Sequence, residues 1–358
     1  MFLKYLSGEN HEYHRYTGRK WAVLIVLAAV LFAAALASVS VGSAGLPLPE
    51  IVRVFLGGGE ASSRVIIWNV RMPRIATGIS VGIALAMAGC IMQNVLRNPL
   101  ASPSTLGVSQ GASFGAAFAI LYFQAGAQIG NVSVATITVT NPYTVVICAF
   151  LGGISTTAFI LLLSRVSGVT PSVMILAGVA MGAMFTGATT LMQYFSDDHM
   201  VASVVYWTFG NLGRAGFKEI SLILILSAAA FFYFYVNRWN YNAMESGTNT
   251  AKSLGVNVDM LIVVSMIVST LLSATAIAFV GTIHFIGLIA PHIVRRFVGN
   301  DHRFLIPCSA LMGAVVMLLA DIASRMIKAP AILPIGALTS FLGAPLFLYL
   351  IIKQGKKR

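Results

Sequence analysis

Apolar residues in this chain come in long unbroken runs, not in the alternating or one-sided patterns of soluble strands and helices. Crossing roughly 30 Å of hydrocarbon at 1.5 Å per helical residue takes about twenty residues. Ten segments reach or approach that length, at about 20–42, 74–96, 102–124, 142–164, 171–195, 217–237, 260–282, 284–298, 304–327 and 333–352. The eighth is short, and Gly287 and Pro291 mark it as a half-length or broken helix. A bilayer tolerates such a helix only where neighbouring protein satisfies the freed backbone groups. The first run follows Arg19-Lys20 and is too long for a signal-peptide core, so it is expected to remain as a span. The pattern predicts an all-α polytopic membrane protein with a short N-terminal tail (1–19) and one transmembrane domain (20–358).

Composition narrows the class. Only 9% of the residues are charged and 58% are apolar, against about 25% charged in soluble domains, which excludes a soluble enzyme. The net charge of +12 has no contiguous basic cluster able to track a phosphate backbone, which excludes nucleic acid as a partner. The cations instead report topology, because cytoplasmic loops hold an excess of Lys and Arg. With an even number of spans and both ends inside, 15 of 23 cations face the cytoplasm, a ratio of roughly two to one. The other eight, Arg53, Arg64, Arg71, Arg74, Arg214, Lys218, Arg325 and Lys328, face outward and call for a further explanation.

Catalytic chemistry is sparse. No GxxxxGK[ST] motif occurs, so the chain has no nucleotide-binding P-loop of its own. An ion-driven carrier keeps carboxylates at mid-membrane depth, and Asp321 alone qualifies. Its i, i+4 spacing from Arg325 favours a helix-end ion pair over a proton site. Cys90, Cys148 and Cys308 lie far apart within apolar runs and read as packing residues. The six histidines lack metal-ligand spacing, so no metal site is expected, and His292 and His302 read as structural. The halves resemble each other weakly: Gly89 with Arg97-Asn98-Pro99 parallels Gly281 with Ala290-Pro291-His292. Five spans per half would make inverted repeats, about 20–200 and 217–352, as transporters use for alternating access.

Several motifs in order carry a more specific resemblance. Arg71-Met72-Pro73-Arg74, Gly89, Met92-Gln93, Arg97-Asn98-Pro99-Leu100-Ala101, Leu106-Gly107-Val108 and Gly111-Ala112 occupy the first half. Gly281-Thr282-Ile283-His284 through Ala290-Pro291-His292, Asp301-His302-Arg303, Ala320-Asp321, Leu333-Pro334-Ile335-Gly336 and Gly343-Ala344-Pro345 occupy the second. From about residue 45 to 352 the chain resembles the metal-chelate ABC importer permeases, the BtuC-like permeases of ferric siderophores, haem and vitamin B12. The resemblance implies a non-catalytic, ten-helix subunit of a prokaryotic plasma membrane that works as a homodimer, with a pseudo-dimer as the alternative. It further implies two ATPase subunits that use ATP and Mg, an extracytoplasmic substrate-binding protein, and no cofactor bound by this chain.

The resemblance also assigns residues. Arg71, Arg74 and Arg325 would receive glutamates of the binding protein, whereas composition alone reads Arg71 and Arg74 as snorkelling anchors. The loop at about 238–259, with Gly247, Ala251, Lys252, Leu254 and Gly255, would be a short pair of helices seated on the ATPase, although its polarity equally suits a solvated connector. Two positions depart from the family pattern: Thr248 and Ile332 both stand where a Glu is usual. The fifth span would line the pathway through Gly178, Gly182, Thr186 and Thr189, with Thr170-Pro171-Ser172 as the inner gate; Pro171 departs from a hydroxyl residue. Its small-xxx-small spacing has the commoner meaning of close helix packing. A ferric siderophore is the first expected substrate, with cobalamin, haem and molybdate open; a gradient-driven carrier is the rival of another class.

Overall fold

A computed structural model describes residues 2–42, 45–125, 128–129, 137–138, 142–167 and 170–355. Lys356, Lys357 and Arg358, which enter the topology count, lie outside the described residues. The helices are α1 (Phe2–Ser40), α2 (Leu48–Phe55), α3 (Ala61–Val65), α4 (Met72–Val95), α5 (Val108–Tyr122), α6 (Pro142–Ser167), α7 (Pro171–Tyr194), α8 (Asp198–Thr208), α9 (Phe217–Val236), α10 (Arg238–Glu245), α11 (Thr248–Ser253), α12 (Val258–Val280), α13 (Ile286–Val298), α14 (His302–Met326) and α15 (Ile335–Gly355). Gln128–Ile129 pairs with Ile137–Thr138 as a two-residue antiparallel bridge. The chain is thus an all-α polytopic membrane protein.

Among the described residues, seven helical stretches are long and apolar enough to cross a bilayer. The other three expected spans correspond to α5, α13 and α15. Three boundaries differ from the sequence reading. The expected tail 1–19 is helical and continuous with the first span, since α1 runs from Phe2, while its apolar stretch begins at Tyr16. The second span starts at Ala61 instead of 74, giving 35 helical residues. Pro73 lacks an N–H and its ring crowds the carbonyl four residues back; a π-helical turn at Ile66–Arg71 precedes it and lets the helix run on. Finally, α5 starts at Val108, not 102, because Gly107 (φ 80°) turns the chain and Ser102, Ser104 and Thr105 hydrogen-bond one another in the preceding loop.

The helix α4 is the axis of the packing, 83% buried over its most apolar stretch and in contact with α9, α12, α13 and α14. Bilayer helices cannot gain hydrophobic energy against lipid, so they associate by close backbone approach at small residues. A Cβ on Gly82 would lie 2.5 Å from the Gly313 carbonyl oxygen, and one on Gly89 would overlap the Gly287 carbonyl. These contacts clamp α4 against α14 and α13. The sequence likeness of the halves has a structural counterpart in element order. Each half runs from a long helix (α4, α12) into an irregular segment, then a short helix begun by a left-handed residue (Gly107, Phe285), then a long helix (α6, α14).

Gly89→Leu forces overpacking against the α13 backbone and is expected to abolish recovery of folded protein in detergent. Gly187→Leu, at a position with nothing within 4 Å, leaves recovery unchanged; size-exclusion profiles of the two variants check this.

Candidate functional site

Polar side chains gather at the two ends of the bundle, one end marked by Arg74 and the other by Lys20. At the first end, the fully buried Asp321 accepts from Arg74 Nε (2.8 Å) and pairs with Arg325 Nη2 (2.9 Å). The expected Asp321–Arg325 pair is therefore present, and Arg74, 247 residues from Asp321, completes a triad. The same arginines hold the end of α1. Arg325 Nη1 donates to the carbonyls of Ser38 (3.1 Å) and Val41 (2.6 Å), while Arg71 donates to those of Val39 and Ser40. A helix C-terminus leaves carbonyls without intrahelical donors and carries partial negative charge, which a guanidinium satisfies on both counts.

This bears on the docking assignment. Arg71 and Arg74 are only 5% and 8% exposed, and Arg325 is spent on Asp321 and α1. In this conformation they are not free forks, nor are they snorkelling anchors: they hold α1, α4 and α14 together. Arg74 lines a cavity of about 430 Å³ at this end, shared with Asn69, Gly213, Arg214 and Phe217. Arg53, Arg64, Lys218 and Lys328 are exposed at this end.

At the opposite end, α10 and α11 form the expected pair of short helices. Gly247 (φ 117°) makes the turn between them and Gly255 (φ 82°) the turn after them, conformations that glycine adopts without strain. Ala251 is fully buried, so it seats α11; Lys252 points outward to Asp259 (3.8 Å), and Leu254 is 69% exposed. Thr248 opens α11, and Ile332, the other departure from the family pattern, is exposed.

The sequence reading missed how α10 is held. Asn94 of α4 donates to Tyr241 O (3.1 Å) and Glu245 Oε1 (3.0 Å), and Asn300 donates to Glu245 Oε2 (3.1 Å). The Tyr241 hydroxyl is 2.8 Å from Ser265 Oγ, and burial pushes this phenol up. Asn242 donates to Asp301 Oδ1 (3.2 Å) and accepts from the His302 N–H (2.8 Å), which gives His302 its structural role. Lys20, 3% exposed, reaches Asp301 Oδ2 (3.2 Å). Burial pushes the Asp301 carboxyl up, but donors from Asn242, Arg303 and Lys20 outweigh it and hold the group below the usual carboxylate range. The one available signal was Lys20 at the edge of an apolar run. A polar cavity of about 750 Å³ opens here, lined by Arg97, Glu245, His292, Arg295 and Arg296 among others.

The helix α7 divides the expected pathway residues between two faces. Gly178 and Gly182 lie on the packed face: a Cβ on Gly178 would sit 2.8 Å from Leu106 Cα, and one on Gly107 would sit 2.7 Å from Gly178 O. Gly178 thus serves the close packing that small-xxx-small spacing offers, while Gly182 is buried and a Cβ there would meet Gln110 and Gly107 at an ordinary contact distance of 3.6 Å. Thr186 is exposed and Thr189 half-buried, each hydroxyl donating to a carbonyl one turn back (2.8 Å). Thr170 and Ser172 are exposed at the start of α7, where Pro171 occupies the first turn, a position that needs no N–H.

The molecule is thus an all-α polytopic bundle with a buried ion-pair network at one end and a hydrogen-bonded pair of short surface helices at the other. The chain matches the FecCD transport family over residues 27–353 and belongs to it. It is 49% identical over 346 residues to an ABC transporter permease protein of Methanocaldococcus jannaschii, covering 97% of this chain and 98% of that one. To the iron(3+)-hydroxamate import system permease protein FhuB of Bacillus subtilis it is 35% identical over 347 residues, covering 95% and 86%. An inward-facing structure of a metal-chelate type ABC transporter superposes with a TM-score of 0.80 at 31% identity, covering 93% of this chain and 99% of that one.

Removing Asp321 strands two buried guanidinium groups. Asp321→Ala is expected to cost about 3–5 kcal/mol, read as a fall in thermal midpoint in detergent. At the other end, a depressed folded pKa means that the Asp301 contribution is complete above the ordinary carboxylate value and is lost as pH falls through the lower folded value. Below about pH 4 the wild type should therefore lose stability more steeply than Asp301→Asn, measured as thermal midpoint against pH.

Proposed function

We propose that this chain is the membrane-spanning subunit of an ATP-driven importer of a ferric siderophore. Two copies of it assemble with two ATPases that use ATP and Mg, and with an extracytoplasmic binding protein, in a prokaryotic plasma membrane with both termini inside. The observation that carries the reading is the α10–α11 pair: a surface element anchored through Asn94, Asn242 and Glu245, yet presenting the exposed apolar Leu254 and Lys252 to a partner. Leu254 at the end of α11 and Lys252 on it leave one apolar and one cationic side chain exposed on a firmly anchored surface element, which suits a protein contact. An ATPase closing on this pair moves α4 and α14 through those hydrogen bonds, and alternating access follows.

At the Arg74 end, the outer cavity and the exposed Arg53, Arg64, Lys218 and Lys328 form a basic face for acidic groups of a binding protein. Arg74 reaches the arriving carboxylate, while Arg71 and Arg325 hold the floor beneath it. The second copy packs against α7, whose exposed face carries small and hydroxylated residues (Ala183, Thr186, Gly187, Thr190) that let another helix approach closely. The iron(3+)-hydroxamate relative supports an iron chelate as cargo.

Proteoliposomes holding the chain, its ATPase and the binding protein are expected to take up ferric siderophore only with ATP on the ATPase side. Uptake of cobalamin, haem or molybdate instead would reassign the cargo, and gradient-driven uptake without ATP would overturn the importer. In the same assay, Leu254→Asp is expected to lower ATP-dependent uptake at least tenfold while the permease still folds.

A further inference from the structure

The helix α14 bears a carboxylate near each of its ends. Asp301 caps its first turn, accepting from the Arg303 N–H (3.1 Å), and Asp321 lies about 30 Å further along. Each binds a cation from another helix. At one end this is Lys20 of α1 (3.2 Å), and at the other it is Arg74 of α4 (2.8 Å). The helix α1 packs along α14, and its far turn is gripped by Arg325 of α14 through the carbonyls of Ser38 and Val41. Thus α1 and α14 are cross-linked at both ends by buried charge.

Only the Lys20 end touches α10. The carboxylate that holds Lys20 also accepts from Asn242 of α10 (3.2 Å), and the Asn242 side-chain oxygen takes the His302 N–H (2.8 Å). The Lys20 ammonium lies over the rings of Tyr16 (4.1 Å) and Phe304 (5.3 Å), so it is stripped of most water and depends on Asp301. A buried charge that loses its partner is costly, so the pair resists separation when α10 moves.

We propose that Lys20 and Asp301 are positioning residues of the transport cycle: they tie α10 to a rigid α1–α14 lever, so that displacement of α10 arrives at the Arg71–Asp321–Arg325 cluster on the opposite face. The proposal rests on α10–α11 being the ATPase contact, and it assigns the N-terminal span a task separate from the α7 pathway. Reciprocity then requires that occupancy of the outer face be felt at α10 through the same tie.

Two measurements test it. In the purified permease in nanodiscs, hydrogen exchange is followed at the amides of residues 38–41 for wild type, Lys20→Met and Lys20→Arg, which keeps the cation and leaves Asp301 to accept from Asn242 and Arg303. Lys20→Met is expected to raise exchange at this far end, and Lys20→Arg to keep it near the wild-type value. In the reconstituted complex, Lys20→Met should leave basal ATP hydrolysis unchanged and lower its stimulation by the binding protein about fivefold or more. Unchanged exchange at 38–41, exchange raised only around residue 20, or unchanged stimulation overturns the lever. If the wild-type complex shows no ATP-dependent uptake, the importer reading fails instead, and the exchange arm still decides the tie.

Discussion

Three helices meet at one fully buried carboxylate. Asp321 on α14 takes a guanidinium from α4 and another from its own last turn, and those arginines together with Arg71 satisfy the end of α1. In a hydrocarbon environment no water substitutes for a missing partner, so the set stands or falls as a unit. It fixes where α1 ends, where the π-turn places Arg71 and Arg74, and how α14 lies against α4. The glycine contacts at Gly82 and Gly89 extend the same constraint down the length of α4, because only bare backbone fits there.

The other end adds amide hydrogen bonds to one buried charge pair. Asparagine amides, one glutamate and the Lys20–Asp301 pair hold α10 to α4 and α14. Glu245 and Asn300 border water, while Asn94, Tyr241 and Lys20 are buried. A bundle held by buried charge at both ends, with a short surface helix fastened by amide bonds at one of them, is suited to receive a mechanical input at that helix. Membership of the FecCD transport family agrees with that division, since transport requires part of the bundle to move while the rest stays whole.

The site residues were unevenly legible. Gly247 and Gly255 stood out as glycines in a polar loop, and both occupy turns with positive φ. Asp321 and Arg325 were visible as a one-turn pair. Gly178 packs on Leu106 and Gly182 lies beside Gly107, because small residues serve close approach as readily as an open channel and the sequence does not say which face of α7 is covered. The boundaries at Ala61 and Val108 were missed for local reasons: a π-turn accommodates Pro73, and a loop of apolar composition precedes Gly107.

What the sequence alone determined was the solvent and the element type. Long apolar runs with few charges require a bilayer, and a bilayer requires helices, because each backbone group must be bonded within its own segment. Order, approximate length and the shortness of α13 follow from that local rule. Only the tertiary structure decided the partners of the charges. Arg74 and Asp321 are 247 positions apart, and Lys20 and Asp301 are 281 apart. Nothing local distinguishes a cation that meets water from one that closes a buried pair; that depends on which helices the glycine contacts bring side by side.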